Sequence, residues 1–75
     1  MAGVKFTEAA VSQMRNLALT RVDVIAALER IDRMDPDQES GLVWVVADVH
    51  GHRLSLILRP IEDVLLVVMI EEVAQ

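Results

Sequence analysis

Cysteine is absent from these 75 residues. That excludes disulfides and thiolate-held metal, and it removes any sign of an oxidising compartment. Basic charge is scarce: seven Lys and Arg stand against twelve Asp and Glu, a net charge of −5. The sign is wrong for gripping phosphates, and the arginines are scattered rather than gathered into a basic patch, so nucleic acid is not an expected partner. Long hydrophobic runs are missing too. The longest, Val64 to Ile70, falls far short of the about 20 residues of a membrane-spanning helix. Met1-Ala2-Gly3-Val4-Lys5 carries no apolar core behind its charge, so no secretory leader is expected and the cytoplasm is the expected location.

What is there is apolar. Hydrophobic residues make up 53% of the chain, on the high side for a small soluble domain. Residues 1–75 have room for one core and one domain. A chain this short buries only about 60–65% of the surface it exposes when unfolded. Without disulfides or thiolate metal, oligomerisation is the expected reinforcement.

Val4-Lys5-Phe6 reads as a short opening strand. Thr7 is placed to cap a helix starting near Glu8, with Val11, Met14, Leu17 and Ala18 on one apolar stripe. Thr20, with Asp23 three residues on, reads as a second helix start. Val24, Ala27, Leu28 and Ile31 continue that helix to near Met34, where Pro36 ends it, and Asp35 to Gly41 is a polar loop. The period then changes. Leu42 to Val49 is a strand by composition, His50-Gly51 a two-residue turn, and Arg53 to Arg59 the returning strand, closed by Pro60. After a turn at Ile61-Glu62-Asp63, Val64 to Ile70 forms a further strand. The fold class is therefore α+β: a short strand, two helices on one sheet face, and a three-stranded antiparallel meander, β-α-α-β-β-β.

With His50-Gly51 as the turn centre, Val49 pairs with His52, Asp48 with Arg53, and Val43 with Leu58. One face then carries Val43, Val45, Ala47, Leu54, Leu56 and Leu58, the bed for the helices. The other carries Leu42, Trp44, Val46 and Ile57, with Ser55, an Asp48–Arg53 pair and Arg59 around them. This second face is too apolar to leave bare.

Phe6-Thr7-Glu8, Met14, Leu19-Thr20 and Asp23-Val24 resemble the start of the small toxin-like domains of unknown function 4258, which are related in fold to RelE-type ribonuclease toxins. Gly41-Leu42-Val43-Trp44, the Gly51 turn, Leu54-Ser55-Leu56-Ile57 and Leu66-Val67-Val68 continue the likeness over nearly the whole chain. The resemblance implies that fold and, in a full member, RNA cleavage. This sequence departs from the pattern where such chemistry resides. Ala9 stands in place of a histidine, Gln13 and Leu17 in place of arginines, Ala18 in place of a glycine, and Met69 in place of a threonine. The replacements cannot supply a general base or charge for phosphate chemistry. The expectation is a non-catalytic toxin-like interaction module, with no catalytic residues and no cofactor.

The alternative is a ribonuclease of the resembled superfamily acting through relocated groups, with Arg15, His50, His52, Arg53 and Arg59 as candidates. His50 and His52 offer two nitrogens where zinc takes three or four ligands, so no metal site is expected. Asp35, Asp37 and Glu39 alternate as calcium loops do, but the required glycine and terminal glutamate are missing. Asp48, Arg53, Ser55 and Arg59 read best as the polar rim of an interface. Ser55 has no activating motif around it, and no polar constellation marks a small-molecule pocket. Met14, Met34 and Met69 read as core filler. The interface residues are Leu42, Trp44, Val46, Ile57 and Arg59, with Trp44 as the anchor. The expected partner is a second copy, a dimer being favoured, or another small protein such as a related toxin to be neutralised.

Overall fold

A computed structural model describes residues 3–73. Met1-Ala2, part of the stretch read for a leader, lie outside the described residues, as do positions 74–75. Strand β1 (Gly3–Phe6) ends at Thr7, which caps helix α1 (Glu8–Asn16): its Oγ1 accepts from the Ala10 N–H at 3.1 Å. Helix α1 closes on a left-handed residue, Ala18, at φ 55°. There the Leu19 N–H donates to the Met14 carbonyl (2.8 Å) and the Ala18 N–H to that of Arg15 (3.1 Å), the paired closure that normally favours glycine. Thr20 and Asp23 form the expected reciprocal cap of helix α2 (Arg21–Leu28).

The expected continuation of this helix to Met34 is wrong. Helix α2 stops at Leu28, and Arg33–Pro36 is strand β2, an edge strand paired with β3 (Val43–Val49). The Asp32 N–H donates to the Val46 carbonyl at 2.8 Å, which draws the chain into the sheet. Pro36 disfavours helical geometry at Asp35, and that favours a strand there as much as a helix stop. The loop shrinks accordingly, since Asp35 and Pro36 belong to β2.

The hairpin matches its expected register residue for residue, from Val49↔His52 to Val43↔Leu58. His50 and Gly51 both take positive φ, 51° and 81°, as a tight turn between twisted strands demands. Strand β4 (His52–Ile61) runs past Arg59. Pro60 does not close it but pairs with Leu65 of β5 (Val64–Glu72). Strand β3 has already begun opposite Leu58, so beyond that point β4 has an open side on which a proline is tolerated.

The sheet has five strands, in the order β1-β5-β4-β3-β2: the expected three-stranded meander, the expected opening strand joined to one edge, and β2, which was not expected, at the other. β1 lies parallel to β5 and the other pairs are antiparallel. Ile57 pairs with Met69 and Leu58 with Val67, which leaves Val68 as a bulge. In a regular strand Val67 and Ile70 would face opposite sides; the bulge turns both toward the helices, where both are fully buried. Their neighbours in the core are Ala10, Met14, Leu19, Val24 and Ala27 from the helical segment, and Val45, Ala47, Val49, Leu54, Leu56 and Leu58 from the sheet. Of the expected α1 stripe, Met14 is buried and Leu17 packs at the margin, while Ala10 takes the place expected of the exposed Ala18. Met34, 55% exposed, and Met69, half-buried opposite Ile57, are not core filler. No helix among the described residues is long and apolar enough to cross a membrane.

Two stability measurements check the roles of Thr7 and Ala18. Thr7 also donates to β5, its Oγ1 to the Val68 carbonyl (2.6 Å) and its N–H to that of Val67 (3.1 Å). Thr7→Ala should therefore cost roughly 1–2 kcal/mol in urea unfolding, with Thr7→Ser recovering most of it. Ala18→Gly should stabilise by roughly 0.5–1 kcal/mol, because glycine enters the left-handed region without strain.

Candidate functional site

Both helices lie against the same face of the sheet, α1 on β5 and β1, α2 on β3. The opposite face is covered by nothing among the described residues. Alternation along the paired strands sets its side chains in rungs. Arg33, Val46, Ser55 and Glu71 make one; Asp35, Trp44, Ile57 and Met69 the next; Arg59, Leu66 and Lys5 the third; Ile61 and Val64 follow. Trp44 is 37% exposed and Ile61 47%, while Val46, Ile57, Leu66 and Met69 are half-buried by their neighbours. Sequence reasoning found Trp44, Val46 and Ile57 on this face and missed Leu66 and Met69, because a continuous apolar strand does not announce where its bulge lies. Leu42, half-buried, directly precedes β3.

The margins of the face are charged. Arg53 Nη1 donates to both carboxylate oxygens of Asp48 (3.2 Å each), and its Nη2 donates to Asp32 Oδ2 at 2.6 Å. These bonds, Asp32 first, raise the Arg53 pKa despite some desolvation. The Asp48–Arg53 pair was legible in the hairpin register; Asp32 was not, since it reaches Arg53 only because β2 joins the sheet. The two sheet edges are obstructed. All four residues of β2 are exposed, and its charges and Pro36 discourage further strand pairing. At β1 the Arg21 guanidinium donates to the Val4 carbonyl (3.2 Å) and lies 5.2 Å from the Phe6 ring centroid.

The five candidate catalytic side chains do not form one site. Arg15 is exposed on α1. His50 donates from Nε2 to Asp23 Oδ1 at 2.8 Å, beside α2, and His52 bonds Glu72 through Nδ1. Arg53 and Arg59 share the uncovered face but lie six residues apart on β4, about 20 Å at strand rise. Sequence reasoning missed Asp23 and Glu72 as the histidines' partners. Asp35 sits opposite Trp44, whereas Asp37 accepts from the Ser40 hydroxyl (2.9 Å) and the Glu39 N–H (3.1 Å), closing its own turn. Those two bonds, Ser40 first, hold the Asp37 carboxyl low. Among the described residues no group of three or more His, Asp or Glu is placed to hold a metal ion. A shallow cleft of about 350 Å³ lies between α2 and the β3–β4 turn, lined in part by Val22, Asp23, Arg30, Asp48 and His50.

No family model, curated protein or solved structure matches this chain.

Asp23 provides a test of the turn's attachment to α2. Its carboxyl is held below the ordinary 3.8, first by the Thr20 N–H and then by His50. A lowered folded value supports the fold fully above about pH 3.8, and that support is lost as pH falls through the lowered value. In an NMR titration His50→Ala should raise the Asp23 midpoint part of the way, because the Thr20 bond survives. An unchanged midpoint would place His50 elsewhere.

Proposed function

We propose that this protein is a non-catalytic, toxin-like interaction module of the cytoplasm that pairs with a protein through its uncovered sheet face. The observation that carries the reading is that face itself. Trp44, Val46, Ile57, Leu66 and Met69 form a contiguous apolar surface on the side away from both helices. Apolar patches with polar rims of this kind mark protein contact sites. The obstructed edges leave the face, rather than β-strand addition, as the route to association. The left-handed Ala18 falls where the resembled family carries glycine, and the substitutions at Ala9, Gln13 and Leu17 remove the groups that family would use on RNA.

The ribonuclease reading has less to support it, because His50, His52 and Arg53 are each engaged by carboxylates. Expression should leave growth and cellular RNA intact. Growth arrest abolished by changing those three residues would overturn the non-catalytic reading.

Light scattering over a tenfold dilution series tests the pairing directly. The expected mass is near twice that of the 8.4 kDa chain, and Trp44→Asp should reduce it to the monomer while leaving the circular dichroism spectrum intact. An unchanged mass for a folded Trp44→Asp protein would remove this face as the contact.

A further inference from the structure

The charges around the face bear on what could cover it and in which orientation. Lys5, Arg59 and Glu71 are exposed, and among the described residues none of them makes a side-chain hydrogen bond or ion pair. They occupy the two rungs flanking Trp44–Ile57–Met69. Glu71 lies on one side, at the end that also carries Asp48 and Asp32; Arg59 and Lys5 lie on the other, either side of Leu66. Along β4, β5 and β1 the face is thus apolar through its middle, with an unpaired acid toward one end and unpaired bases toward the other; Arg53 offsets Asp48 and Asp32, and Arg33 beside Val46 and Asp35 beside Trp44 stand at the β2 edge.

We propose that a second copy of this chain covers the face about a two-fold axis lying across the strands, along the Trp44–Ile57–Met69 rung. The proposal rests on the pairing reading above and names its partner. Rotation about that axis reverses strand direction and leaves each strand opposite its own copy. Glu71 of one protomer then comes over Leu66 of its partner, between the partner's Arg59 and the partner's Lys5. The symmetry makes this contact twice. An axis along the strands at β4 would instead set Arg59 over its own copy and keep Glu71 away from the partner's Arg59 and the partner's Lys5; under the transverse axis a like charge meets its copy at Asp35, exposed at the β2 edge. Aligned packing of two twisted sheets within about 30° is compatible with the transverse axis.

The dimensions suit a small homodimer. Five strands spaced about 4.8 Å and four rungs about 6.6 Å apart give a footprint of roughly 20 × 20 Å. Side-chain relief raises its accessible area toward the about 500 Å² per partner of the smallest specific interfaces. The overall charge of −5 per chain opposes self-association at long range, so local matching of Glu71 with Arg59 and Lys5 is what makes a second copy fit.

Charge reversal tests the arrangement. Glu71→Arg sets two arginines together at each contact and Arg59→Glu sets two glutamates together, so each variant alone should dimerise at least about tenfold more weakly than the wild type. Mixed in equal amounts, the two should form heterodimers in which both contacts between positions 71 and 59 are complementary, seen in native mass spectrometry with one chain isotopically labelled. The double variant Glu71→Arg/Arg59→Glu should regain much of the lost self-association, with Lys5 left beside the new arginine. Circular dichroism confirms that each variant is folded. A wild-type protein that stays monomeric would overturn the pairing itself. A dimeric wild type whose two single variants show no preference for each other would overturn only the orientation.

Discussion

The parallel pairing of β1 with β5, fastened at Thr7, is the constraint on which the rest of the arrangement depends. Thr7 ends the first strand, caps the first helix and donates twice to the last strand, beside its bulge at Val68. One residue thus sets where α1 begins and which end of the sheet it begins from. The two partners are 61 positions apart, yet the entropy of closing a loop grows only logarithmically with length, so the separation adds little beyond what a shorter loop would cost. With β1 at one edge of the sheet and β2 at the other, the intervening helices have to travel from edge to edge. They do so across one face, and both are used in the crossing. Among the described residues, none is left over to cover the second face.

The bulge at Val68 makes that division compatible with a strand that is apolar throughout. Before it, Leu65 and Val67 face the helices; after it, Ile70 does, while Leu66 and Met69 are left on the outside. A strand buried on both faces is ordinary within a layered α/β protein. Among the described residues there is one layer of helices, so the same composition produces a core on one side and an uncovered apolar surface on the other. The electrostatics follow the same partition. His50 and His52 are engaged by carboxylates at the turn end and Arg53 is held by two aspartates, whereas Lys5, Arg59 and Glu71 have no ion-pair partner among the described residues.

Much of this was legible in the sequence because it rests on local chemistry. The Thr7 and Thr20 caps, the His50-Gly51 turn and the register it imposes need only neighbouring residues, and that register by itself assigns Trp44 to the outer face. Strand β2 was not legible. Its four residues alternate neither in hydropathy nor in burial, being exposed throughout, and they are a strand only because β3 offers them an edge. The Val68 bulge was hidden for a related reason: an unbroken apolar run looks the same with one residue out of register. Asp32, Asp23 and Glu72 as partners of Arg53, His50 and His52 come from tertiary placement, which no periodicity encodes.

Size joins the fold to the proposed pairing. A domain of this length leaves a large share of its surface unburied and is correspondingly marginal, and no cysteine is present to reinforce it. Its fully buried side chains belong to the single helix–sheet layer. The apolar rungs on the other side are a contiguous store of hydrophobic surface that the described residues leave uncovered. If a second copy covers them, association and folding draw on the same surface, and stability rises with protein concentration by mass action.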